Sequence, residues 1–214
     1  MNSRALSARL RTATRSDHRA AEQSGIMPRL LAGHVDRSVY CRLLRNLYAL
    51  YNSLERALER HAGSPVVAPV RFPALFRAAA LAADLRHLCG AGWEAKPLAG
   101  AMRAYVARIE AIALERPELL AAHAYVRYMG DLNGGRILRG RVVGALSLED
   151  DLGTAFYAFG ALDPAAAAKR FRAALDALPV DEEGAVAIVA EANDAFARHV
   201  RLFEELHRLP RPGI

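Results

Sequence analysis

The sequence predicts a single all-α domain over residues 1–214. Three observations carry this. Every long segment repeats its apolar residues at the helical period. No stretch alternates convincingly as a strand would. And 214 residues at 53% hydrophobic content suffice for one ample core.

Residues 4–22 read as a first helix, with Leu6 and Leu10 on one row. Residues 27–33 read as a short helical turn closed by Gly33. Asp36 is placed to cap the next helix, whose apolar row is Leu43, Leu47, Leu50, Leu54 and Leu58. Gly63 to Pro73 is irregular; Val66 and Val67 resemble a strand, but Pro65, Pro69 and Pro73 argue against one. One or two short helices follow over 74–89, then breaks at Gly90, Gly92 and Pro97. A helix over 98–116 turns Met102, Val106, Ile109 and Ala113 inward, and a longer one spans 117–147. Residues 151–159 are short and aromatic. Asp163 and Pro164 open a helix that ends before Pro179. Asp181 caps the last helix, with Glu182 and Glu183 in its first turn and Val189, Ala192, Phe196 and Phe203 inward. Pro210, Pro212 and Gly213 close the chain.

Net charge is +6 and the pI is near 9.7, which admits an anionic ligand or nucleic acid. The arginines, however, are spread singly among apolar residues, and no nucleic-acid module is recognisable. Cys41 and Cys89 read as reduced structural thiols. No apolar run reaches the roughly 18 residues that span a bilayer, and no secretory signal is present. The basic, Ser-containing N-terminus has a faint transit-peptide character, but its arginines have a better use below. The expected location is cytoplasmic.

The stretch that organises the chain runs from Tyr125 to Gly140. It lies inside a helical pattern yet carries Gly130, Gly134 and Gly135. Each mid-helix glycine costs about 1 kcal/mol against alanine, so a bend or a close backbone approach is expected. Gly130 and Gly134 strip side chains from one face, and Asp131 sits about 100° around from Gly130. Two readings stand. One is close helix packing over small residues, with Asp131 paired to Arg127 one turn away. The other is a large flat ligand lying on the glycine backbone with a carboxylate beside its reactive centre.

None of the seven histidines forms a paired metal-ligand spacing. His18 has company: Glu22 at i+4 can accept from Nδ1 and turn Nε2 away, and Arg15 and Arg11 lie at i−3 and i−7 on the same face. Such an imidazole suits the iron of a ligand with carboxylate tails. A solvated Glu–His pair is the alternative.

His18-Arg-Ala-Ala-Glu22, Leu47-Tyr-Ala-Leu-Tyr51, the run from Ala121 to Gly135 and Leu202-Phe-Glu-Glu-Leu206 together resemble the haem oxygenase family, in order and separation, from about residue 5 to 206. The resemblance implies a helical haem oxygenase-like fold clamping haem between a proximal and a distal helix. His18 matches the axial iron ligand and Glu22 its hydrogen-bonding acid. Gly130 and Gly134 match the glycines that bend the distal helix, and Gly135 completes their motif. Asp131 matches the aspartate that orders distal water; Tyr51 and Arg127 match members of its network. Arg11, Arg15, Tyr125 and Arg172 match residues around the propionates, and Lys169 does so with a looser alignment. Asn133 stands where serine is common and Arg136 where glutamine is; Arg136 is expected to turn outward. The chain shows no hydrophobic tail, so the anchor of animal members is not expected.

The implied activity is O₂-dependent opening of haem to biliverdin, ferrous iron and carbon monoxide, with electrons from a reductase or ferredoxin. The alternatives are a non-catalytic haem-binding or storage protein of the same fold, disfavoured by the Gly130–Asp131 pair, and a basic helical nucleic-acid binder, disfavoured by the scattered arginines.

Overall fold

The computed structural model describes residues 5–149 and 152–209. Arg4 and the closing Pro210, Pro212 and Gly213 lie outside the described residues. Among those described the chain is helical, without strands: α1 (Leu6–Ala13), α2 (Arg15–Glu22), α3 (Met27–Leu31), α4 (Arg37–Arg60), α5 (Ala78–Cys89), α6 (Gly100–Glu115), α7 (Leu120–Leu146), α8 (Pro164–Asp176) and α9 (Glu182–Arg208).

α4 and α9 form the frame. α4 packs on α5, α6 and α7, and α9 on α2, α6 and α7. The expected leucine row of α4 is buried throughout. Three aspartates start helices as their positions require: Asp36 accepts from Val39 N at 2.8 Å, Asp163 from Ala165 N at 2.9 Å and Asp181 from Gly184 N at 2.8 Å. The proline-rich segment holds only 3₁₀ turns, at Ala68–Val70 and Pro73–Leu75.

Two expectations are corrected. The first helix is broken at Thr14, which joins α1 to α2. The Thr14 hydroxyl donates to Leu10 O at 2.8 Å, and this back-bonding diverts the chain where the apolar row shows no interruption. Cys41 and Cys89 are joined as a disulfide, with Cα atoms 6.3 Å apart. The packing of α4 on α5 brings the start of one beside the end of the other, a proximity that a separation of 48 residues conceals.

The turn between α2 and α3 fixes the height of α2 on α9. Gly25 has φ +50°, and a Cβ there would overlap the Phe203 carbonyl. Ile26 N donates to that same carbonyl at 3.3 Å.

Candidate functional site

α7 runs unbroken through its glycines. A Cβ built on Gly130 or Gly134 would meet nothing within 4 Å. Close helix packing therefore does not explain them; they border open space. Gly135 differs: its Cβ would rest on Tyr157 at 3.6 Å.

The space is a cavity between α7 and α2, walled by Leu43, Leu47, Phe156, Phe196 and Phe203 and reached by His18, Gly130, Asp131 and Gly134. A second, more open cavity shares His18, Gly130, Gly134 and Ile137 with the first and opens past Arg11, Arg15, Tyr125 and Arg172. The site thus has a largely apolar interior and a basic rim. The break at Thr14 leaves both arginines on that rim. Exposed Lys169 lines neither cavity. Arg136 is exposed, as expected, and Asn133 donates back to Met129 O at 2.7 Å.

His18 stands on the α2 wall with half its side chain exposed. Phe196 meets its ring edge-on, centroids 5.8 Å apart. Glu22 Oε2 lies 3.6 Å from Nδ1, beyond hydrogen-bond reach. The two share a face, but the expected hydrogen bond is not made.

On the α7 wall, Asp131 is buried in a polar cluster. The Tyr51 hydroxyl donates to Oδ2, and Arg127 Nη2 donates to Oδ1 at 3.0 Å. Arg127 Nε donates to the Tyr51 oxygen at 2.9 Å. Burial raises the Asp131 pKa, while the Arg127 charge and the Tyr51 hydrogen bond pull against that rise. Arg127 also shifts upward: burial alone would lower its pKa, but its neighbours Tyr51 and Asp131 outweigh that, so its charge is secure. The cluster is a fixed donor–acceptor array at the edge of an apolar slot, suited to holding water and passing a proton.

Two site residues escaped the sequence. His199 lines the cavity and touches Arg127; the Phe196, His199 and Phe203 spacing on one helix face was the available signal. Ile137 is 58% exposed yet lines both cavities, which explains an apolar residue left uncovered on α7. Among the described residues no cluster of His, Cys, Asp and Glu is built to hold a metal ion, and no helix is long and apolar enough to cross a membrane.

The chain matches the family model described as heme oxygenase over residues 4–205. It is 41% identical to heme oxygenase 1 of Nostoc sp. over 203 residues, covering 94% of this chain and 85% of that one. The heme oxygenase of Porphyra purpurea is 38% identical, covering 92% and 85%. Among solved structures, heme oxygenase-1 of Synechocystis sp. PCC6803 in complex with heme superposes with a TM-score of 0.91 at 38% identity, covering 95% of this chain and 92% of that one. The heme oxygenase of Leptospira interrogans gives 0.91 at 37% identity, covering 94% and 100%.

Proposed function

The chain belongs to the haem oxygenase family, and from that premise we propose that it opens haem to biliverdin, ferrous iron and carbon monoxide, using O₂ and electrons from a reductase or ferredoxin. The carrying observation is the slot between His18 and the bare backbone of Gly130 and Gly134, apolar within and basic at its mouth. A flat macrocycle with two carboxylate tails fits such a slot. The whole chain acts as one domain. The location that goes with this proposal is the cytoplasm.

Haem, when bound, supplies the iron that activates O₂ and is itself the molecule opened. His18 would hold the iron, and Glu22, 3.6 Å from its Nδ1, stands close enough to orient the ring. An imidazole, unlike a thiolate, does not drive O–O cleavage strongly. Arg11, Arg15, Tyr125 and Arg172 pair with the carboxylate tails, and Lys169 adds positive charge farther along α8. Gly130 and Gly134 let the α7 backbone approach the ring. Gly135 lines the same cavity and backs onto Tyr157. Asp131, held by Arg127 and Tyr51, keeps water ordered beside the reacting edge and relays a proton to it.

The test is to titrate the apoprotein with haem, follow the Soret band, add O₂ with a reductase or ascorbate, and identify the bilin isomer chromatographically. Stoichiometric binding followed by biliverdin is expected. Binding without bilin would leave a storage protein, and no Soret complex would end the haem reading. His18→Ala should lose the axial bond; an unchanged Soret spectrum would remove His18 from its role.

A further inference from the structure

We infer that His199 is a positioning residue of this site: a neutral acceptor on α9 that fixes the Arg127 guanidinium and, through it, the Asp131 carboxylate. The inference rests on the role of Asp131 proposed above. Arg127 is anchored at all three nitrogens: Nε on the Tyr51 hydroxyl at 2.9 Å, Nη2 on Asp131 Oδ1 at 3.0 Å, and Nη1 on His199 Nε2 at 3.2 Å.

A guanidinium nitrogen only donates, so Nε2 of His199 must present its lone pair. The opposite ring nitrogen, Nδ1, lies 2.8 Å from Ala195 O, a carbonyl that only accepts. The proton therefore sits on Nδ1, and the partners at both ends fix the tautomer. The ring is almost fully buried. Tyr105 meets it edge-on at 5.2 Å and 89°, and Phe203 packs at 5.9 Å. These two rings and the bonds at both nitrogens hold it in place. Without this acceptor Nη1 would be a buried donor with no partner, and the guanidinium could pivot about its bond to Tyr51, carrying Asp131 with it. One turn earlier on α9, Phe196 packs on His18. A single helix thus sets the ring on one wall of the slot and the cation on the other.

Two substitutions separate the acceptor from mere packing. His199→Leu fills space without a lone pair, whereas His199→Gln can place Oε1 near the position of Nε2. In the apoprotein, long-range ¹H–¹⁵N spectra should show His199 as the Nδ1–H tautomer. The Arg127 guanidinium should rotate slowly in wild type and H199Q and faster in H199L. With haem, all three should bind alike. H199L should lose about tenfold in bilin yield, the scale of a lost hydrogen bond to a charged group, and shift the acid–alkaline transition of the ferric complex. H199Q should restore both. An Nε2–H tautomer in wild type, an unaltered Arg127 signal in H199L, or an H199Q as impaired as H199L would each overturn the inference. If wild type itself makes no bilin, the proposed activity fails, while the apoprotein spectra still judge the arginine lock; they also decide should H199L not fold.

Discussion

A buried carboxylate must be there for its hydrogen bonds, and Asp131 accepts two, from Tyr51 and Arg127. Asp131→Ala leaves the slot open, so haem should still bind. With no group to hold water, the variant should lose about a hundredfold or more in bilin formation, the lower end of what a positioned acid or base contributes, and turn toward peroxidase-like oxidation of an added phenol. Normal biliverdin yield from D131A would refute its role. His199 makes a second residue-scale prediction. Burial, then the Arg127 charge, pushes its pKa down to about 3 from the usual 6.5; neighbouring His123 acts in the same direction, and the Ala195 carbonyl against it. Unfolding below pH 6.5 therefore takes up a proton that the folded ring refuses. The stabilisation is complete above pH 6.5 and drains away as pH falls toward 3, by an amount on the order of 5 kcal/mol. Urea midpoints measured across that range should fall less steeply for H199Q; equal slopes would contradict the shift. His18, Asp131, Arg127 and Tyr51 were legible because local motifs carry them. His199 was not, because its partner lies 72 positions away and a lone histidine has no pattern.

At the scale of one element, α7 is a helix whose sequence accepts a stability cost to keep one face bare. Gly130→Ala should therefore stabilise the apoprotein by about 1 kcal/mol, since no neighbour obstructs the new methyl group. The same methyl group would project into the slot and weaken haem binding by about tenfold, roughly the worth of a small steric mismatch. Thermal melts of the apoprotein and Soret titrations would measure the two effects, and a variant with a lower melting temperature and unchanged affinity would refute the account. Helix ends were readable where a cap residue announces them, as at Asp36, Asp163 and Asp181. The break at Thr14 was not, because a threonine hydroxyl bonding backward leaves the apolar row intact. The packing interpretation of the glycines was open to the sequence and closed only by the empty space above them.

For the whole molecule, helical class follows from periodicity, but which helix ends meet does not, and the Cys41–Cys89 bond shows the difference. Closing a loop across 48 positions should stabilise the fold by about 2–4 kcal/mol through the unfolded chain. Neither Cys41 nor Cys89 lines either cavity of the site, so the bond should support the frame without touching the bound ligand. Disulfides are uncommon in a cytosol kept reducing, so its state in the cell follows the thiol poise around it. Protein purified aerobically and denatured without reductant should show no reactive thiol, then two after reduction. Reduced protein and Cys41→Ser should melt alike, below the oxidised form, and bind haem with unchanged affinity. Two thiols reacting at once in never-reduced protein would instead restore the free-cysteine expectation drawn from the sequence.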